Sequence, residues 1–388
     1  MTTVFVSGAV ANKHRMGGSI WVRMSWAEAL RDCGLDVVFV EQIDERSCVD
    51  AGGAPAPFAD SANAAAFAAA MTRFGLTGSL VCPAADGADA RVRGLALDDL
   101  FARADGAALL VNLGGHLRWE PLLRRLKARA FVDLDPGFTQ IWHAQERDIG
   151  LAAHDLHFTV GMNVGTPRCP LPSGGLRWRA IRQPVCLDRW PVQSGDALQR
   201  FTTVASWRGA YGPATWAGRS YGVKAHEFRR FLPVSGAVRD ARFEVALDIH
   251  DGDRADVERL RDHGWALSDP AALSGTDGFR RFVQASGAEF SPAQNIYVDT
   301  CSGWFSDRTV RYLASGRPAL VQDTGFAEHL PTGAGLLAFS TLDEAVRGAR
   351  ELLADYPAHC VAARRIAAEH FAGSRAIAPL LQSAGLAS

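Results

Sequence analysis

Apolar residues recur along this chain at two spacings, and the switching between them predicts alternating strands and helices. Thr3 to Ser7 reads as a strand, followed by a polar loop from Gly8 to Met16. Apolar positions then fall at helical spacing from Ser19 to about Asp32, Cys33-Gly34 closes that helix, and Leu35 to Val40 is the next strand. Residues 51–66, rich in Ala, Gly and Pro, run into a helix ending near Phe74, and Leu95 to Ala104 is another helix. Ala107 to Leu113 is a buried strand ending in Gly114-Gly115-His116. Pro121 to Lys127 is a helix. Ala130 to Leu134 is a strand ending in Asp135-Pro136-Gly137, and Phe158 to Val160 one ending in Gly161-Met162-Asn163.

Periodicity fades over residues 164–200, where prolines stand at 167, 170, 172, 184 and 191, and Arg182 to Arg200 reads as a hinge. A second series then begins. Phe201 to Ser206 is its first strand and Phe243 to Asp248 the next, with helices at Arg254 to Arg261 and Gly278 to Ala285 and a short strand at Ala288 to Phe290. Ser306 and Asp307 are helix-capping types. Val310, Leu313 and Ala314 follow at helical spacing until Gly316, and Ala319 to Val321 is a buried strand that exits into Asp323-Thr324-Gly325. The last helices are Ala358 to Phe371 and Arg375 to Leu381. The pattern predicts an α/β protein of two Rossmann-like domains, residues 1–185 and 186–370. Residues 371–388 are expected to form a C-terminal helix crossing back to the first domain. Ligands of such sheets bind outside the carboxyl ends of the strands.

Composition narrows the function classes. The 388 residues, 48% hydrophobic, suit two cores. A net charge of −1 leaves no chain-wide electrostatic footprint for nucleic acid. No apolar run approaches the roughly 18 residues of a membrane span, and the seven Cys include no C-x-x-C pair. The expectation is a cytoplasmic protein without disulfides. No H-x-x-x-H pair suggests a metal site, and neither a G-x-G-x-x-G after a strand nor a Walker loop is present. Lys occurs only at Lys13, Lys127 and Lys224, the other basic residues being Arg. A retained Lys therefore marks a place that wants a compact ammonium, chance survival being the plainer alternative.

The stretch from Trp304 to Gly325, with Ala314-Ser315-Gly316-Arg317-Pro318 before the strand and the Gly-x-x-Glu loop of Gly325, Phe326, Ala327 and Glu328 after it, resembles the donor half of a GT-B glycosyltransferase. The Gly333-Ala334-Gly335 turn, the strand Leu336 to Phe339 and the helix start at Ser340 to Ala345 continue the likeness, which extends over roughly residues 200–370 and more loosely before them. The resemblance implies transfer of a sugar, of hexosyltransferase type and without a metal, from a nucleotide-diphosphate sugar to an acceptor the sequence does not name. It implies no cofactor beyond that donor. Gly17-Gly18, in the first strand-to-helix turn with His14 nearby, match the loop that opens the acceptor domain of many such enzymes, where a phosphate or the acceptor approaches the backbone.

Site residues follow from the same match. Arg208 after the strand and Lys224 at the next helix start fit the diphosphate clamp, with Arg219 a rival for the Arg role; a solvated basic loop is the alternative. Gly303, Trp304, Phe305 and Ser306 are expected to meet phosphates or sugar. Many retaining members carry two Glu where this chain has Gly303 and Arg311. Asp307 is the substitute for the ribose contact, or else a helix cap. Thr324, Gly325, Phe326 and Glu328 form the sugar-facing loop, Glu328 alternatively being a first-turn acid favoured by the helix dipole. An inverting transfer needs a base; His116 and Asp135 stand at strand ends for it, Asp135 alternatively capping a turn, and His14 is a third possibility. The missing acids keep open a non-catalytic nucleotide- or partner-binding module, and a nucleotide-sugar epimerase shares the fold.

Overall fold

The computed structural model describes residues 1–193, 197–209 and 211–386. Its first sheet contains β1 (Thr3–Ser7), β2 (Asp36–Gln42), β3 (Thr77–Pro83), β4 (Ala90–Gly94), β5 (Leu109–Leu113), β6 (Arg129–Asp133), β7 (Leu156–Thr159) and β8 (Trp178–Ala180). Their order is β4-β3-β2-β1-β5-β6-β7-β8, parallel throughout except for the β3–β4 edge. Alternation along β1 sends Val4 and Val6 into one apolar cluster and Phe5 into another. Both faces are thus covered by helices, as a parallel sheet requires.

A second parallel sheet is built from β9 (Arg200–Ser206), β12 (Arg242–Asp248), β13 (Ala266–Ser268), β14 (Ala288–Ser291), β15 (Ala319–Gln322) and β16 (Leu336–Phe339), in the order β13-β12-β9-β14-β15-β16. Between β9 and β12 the chain makes a small antiparallel hairpin of β10 (Ala214–Trp216) and β11 (Arg219–Tyr221). The fold is therefore the expected α/β pair of Rossmann-like sheets. The strand pattern missed β3, β4, β8, β10, β11 and β13. β4 reads ARVRG because it is a solvated edge, so its Arg residues carry no apolar alternation. β8 spans three residues of the proline-rich stretch. The first helix starts at Gly17, two residues before the capping pattern suggested, and Pro121 to Lys127 yields only a short helix, Glu120–Leu123.

The two sheets are joined by a largely apolar seam. Helix Gly17–Asp32 packs against helix Gly275–Ala285 and against the C-terminal helix Gly373–Ser383. A Cβ on Gly17 would lie 1.9 Å from the Gly275 carbonyl oxygen, so only glycine permits this approach. Trp21 meets Trp190 at 5.0 Å between ring centroids and donates its indole N–H to the Thr276 carbonyl at 2.9 Å. Phe279 packs on Trp190 in turn. Burying one such side chain contributes about 1.5–3 kcal/mol. That outweighs the half-exposed Arg73–Asp277 ion pair at the same seam, a type worth about 0.2–1 kcal/mol. No helix among the described residues is long and apolar enough to cross a membrane.

Candidate active site

The carboxyl ends of both sheets open onto one cleft of ≈ 530 Å³, within the size range of small-molecule sites. One wall carries Lys13, Gly18, Arg23, His116 and Asp135; the other carries Ser206, Trp304, Asp307 and Arg308. Lys13 lies in the loop after β1. The buried Glu41 carboxylate at the end of β2 pins that loop by accepting the Val10, Ala11 and Asn12 backbone N–H groups at 2.8, 2.6 and 2.8 Å. Arg23 rises from helix Gly17–Asp32 and donates to Ser19 Oγ at 2.9 Å.

Asp135 and His116 differ as bases. Burial, then the neighbouring Asp133, raises the Asp135 carboxyl above the ordinary carboxylate range, while Tyr297, Arg23 and Lys13 oppose the rise. Tyr297 reaches across from the other domain, donates its hydroxyl to Asp135 Oδ1 at 3.1 Å and stacks on Trp304 at 4.3 Å. Burial, then Arg23 and Lys13, push the His116 ring down to about 3. His116 is therefore neutral at physiological pH and a weak proton acceptor, whereas Asp135 is a stronger one than an ordinary aspartate.

On the opposite wall Arg308 lies across the strand ends. Its Nε donates to Glu289 at 2.6 Å, one terminal nitrogen to the Val204 carbonyl at 2.8 Å and the other to Ser291 Oγ at 2.7 Å. Lys224, at the start of helix Lys224–Arg230, is 8% exposed. Burial, with Arg308 adding to it and Glu289 and Asp307 opposing it, lowers its ammonium to about 7. Its helix is fixed by buried Glu227, which accepts from Gln322 at 2.7 Å and Asn295 at 3.0 Å.

The preceding strand end is held by Asp256, which accepts the Trp207 indole N–H at 2.7 Å and the Arg229 guanidinium at 2.9 and 2.6 Å. Asp256→Ala leaves both donors without their acceptor, one of them buried. It is expected to destabilise the protein by about 2–4 kcal/mol, read as a lowered urea midpoint, with Asp256→Asn closer to wild type. An unchanged midpoint in the alanine variant would remove this network from the account.

The other expected residues are distributed unevenly. Arg208 turns away from the cleft into a bidentate pair with Asp253, and Arg219, on the hairpin, pairs with Asp299 at 3.6 Å. Ser306 is the helix cap, accepting the Arg308 N–H, which leaves Asp307 free for another partner. That partner is the fully buried Arg311, which donates to Asp307 Oδ2 at 3.1 Å and sits over the Trp190 ring. Arg311, standing where an acid was missing, is thus a brace at the seam. Gly17 serves the helix contact described above, and His14 faces Asn63 and the Ala11 carbonyl.

Gly303, Phe305, Thr324, Gly325 and Phe326 stitch the seam beside the cleft. The Gly303 N–H donates to the Thr324 carbonyl at 2.7 Å, and Phe305 packs on Phe326 at 5.0 Å. Gly325 has φ +89°, and a Cβ there would meet Asn163 Nδ2 and Cys301 Sγ at 2.6 Å. Glu328 forms an ion pair with Arg168 outside the cleft. Lys13, Arg23, Tyr297 and Arg308 were not singled out as site residues. The scarcity of Lys pointed to Lys13, but nothing local pointed to Arg23 or Tyr297. Among the described residues no group of three or more His, Cys, Asp or Glu is placed to hold a metal ion.

No family model matches the sequence, and no curated protein matches it either. Solved structures do. HepE of Anabaena, in complex with UDP and glucose, superposes with a TM-score of 0.59 at 10% identity, over 99% of this chain and 100% of that one. An alpha-glucosyltransferase in complex with UDP gives 0.57 at 11% identity over 99% and 100%. Sucrose-phosphate synthase from Thermosynechococcus elongatus gives 0.53 at 11% identity over the whole of both chains. At these identities the likeness shows the fold, and that fold is GT-B.

Proposed function

We propose that this GT-B chain transfers a glycosyl group from a nucleoside-diphosphate sugar to a hydroxyl of an acceptor. The observation that carries the reading is the facing of Asp135 on one sheet's cleft wall toward Asp307 and Arg308 on the other's, with Lys224 close behind. That the similar structures hold UDP supports the donor class. The donor lies against the wall formed by β9, Trp304 and Arg308. Lys224 and Arg308 meet its diphosphate, where fixed cations stabilise the charge that develops on the departing phosphate.

Asp135 binds the acceptor hydroxyl and takes its proton as the new carbon–oxygen bond forms and the carbon–oxygen bond to the diphosphate breaks, releasing a nucleoside diphosphate. The Tyr297 hydroxyl holds Asp135 by one carboxylate oxygen and leaves the other for this task. The His116 ring, uncharged, accepts or donates a hydrogen bond to the same substrate. Neither a metal nor a cofactor enters these steps.

The test is a melting series with UDP, GDP, dTDP and CDP, followed by assay of the best nucleotide's sugar conjugates for diphosphate release. A ligand at 100 times its Kd stabilises the native state by about 2.7 kcal/mol, so one nucleotide is expected to raise the melting temperature well above the others. No shift with any of them would overturn the reading. A shift without turnover on any sugar or acceptor would favour a binding module instead.

A further inference from the structure

We propose that Lys13 and Arg23, with the His116 ring beside them, form a subsite in the cleft for an anionic group, a phosphate or carboxylate, carried by the acceptor. This deepens the glycosyl-transfer reading and rests on it.

The charges lining the cleft pair off selectively. Arg118 is held by Asp148, Asp307 by Arg311, and Arg308 by Glu289. Lys13 and Arg23 have no such partner among the described residues. Asp307, Asp135 and Glu41 act on Arg23 only through space, and Asp135 alone acts so on Lys13. The Arg23 Nε is buried and makes no hydrogen bond. Two cations thus converge with one carboxylate that is paired to no cation, Asp135, which already accepts from Tyr297.

A buried charge without a partner is costly, and Arg23 adds to burial in weakening Lys13's hold on its proton. The same positive field helps keep His116 uncharged. An anion seated between them would relieve both cations, with charge-assisted hydrogen bonds about twice as strong as neutral ones.

Their position assigns this anion to the acceptor. Both cations stand on the first sheet's wall beside Asp135, where the attacking hydroxyl must lie. The donor diphosphate has its own cations, Arg308 on the opposite wall and Lys224 buried behind it. The loop carrying Lys13 is held rigid by Glu41, so the subsite exists before any ligand arrives and little ordering opposes binding.

The experiment titrates inorganic phosphate, and separately acetate, into protein saturated with the nucleoside diphosphate that stabilises it most. Saturation fills the donor diphosphate site, so added anion reports on the second one. Saturable anion binding is expected, weakened at least tenfold by Lys13→Met and restored by Lys13→Arg, while nucleoside-diphosphate affinity changes less than twofold. Preference between phosphate and acetate tells the two anion classes apart. Lys13 is only half-buried in a loop, so the variant should fold; an unchanged melting temperature without ligand verifies this, and Arg23→Gln repeats the test from the helix. Absence of anion binding to the nucleotide-loaded protein would overturn the subsite alone. So would a tenfold loss of nucleotide affinity in Lys13→Met, since it would assign the cations to the donor. Failure of every nucleoside diphosphate to bind would overturn the transfer reading and the subsite with it.

Discussion

Lys224→Met is expected to raise the melting temperature of the free protein near neutral pH and, in the same variant, to weaken nucleoside-diphosphate binding ten- to a hundredfold. The stability gain follows from burial. The ammonium is 8% exposed and lowered to about 7, against about 10.4 in an unfolded chain. Below about pH 7 the native state keeps a costly buried charge, and between the two values it gives up a proton that the unfolded state holds, so it is penalised in both ranges. The penalty is full below about pH 7 and fades as pH rises toward 10. Its size is on the order of 5 kcal/mol, enough to move the melting temperature by several degrees. Methionine keeps the shape and removes the charge, so the gain should be largest at pH 6–7 and shrink toward pH 10.

The binding loss follows from the same chemistry. A charge-assisted contact is worth about 1.5–3 kcal/mol. A diphosphate prefers the charged ammonium, so wild-type affinity is expected to fall as pH rises through about 7. Lys224→Arg, which stays charged, should flatten that profile. A Lys224→Met variant with wild-type stability and wild-type diphosphate affinity would show that this lysine is neither strained nor in the donor site.

Asp135→Asn is expected to lower kcat by about 10²–10⁴ with donor affinity nearly unchanged. A base acts on the acceptor proton in the transition state, so its loss is felt in turnover rather than in ground-state binding of the donor. His116→Ala should cost far less in rate, because a ring held near 3 cannot take a proton usefully at neutral pH. Tyr297→Phe, which frees the carboxylate oxygen that Tyr297 holds, should lie between the two. Equal rates for wild type and Asp135→Asn would remove Asp135 from the chemistry, and a larger loss in His116→Ala would reverse the assignment.

Much of this site was legible because strand ends advertise themselves. His116 follows an apolar run and Gly114-Gly115, Asp135 follows an apolar run and precedes Pro136-Gly137, and the parallel sheet carries such tips to one edge. Trp304 and Asp307 came from a local helix-start motif, and both line the cleft. Lys13 was hinted at only by the scarcity of lysine, whereas Lys224 stood out by that scarcity and by its place at a helix start. What was not legible is which way a polar side chain turns. Arg208, Arg219 and Glu328 sit in loops whose sequence suits anion or sugar binding, yet Asp253, Asp299 and Arg168 take them outside the cleft. Arg311 stands where an acid was missing and is used to brace Asp307 from inside the seam.

The sequence by itself determined the α/β order, the two sheets and the cleft-facing strand tips, because hydrophobic period and turn chemistry are local and act over a few residues. The tertiary structure decided which charges share the cleft. Arg23 enters it only because helix Gly17–Asp32 is locked in its rotation by Gly17 against Gly275 and by Trp21 bonding to Thr276, 255 residues away. Tyr297 reaches Asp135 across 162 residues for the same reason. Packing over such separations fixes orientation through volume and contact, and no window of the chain contains both partners.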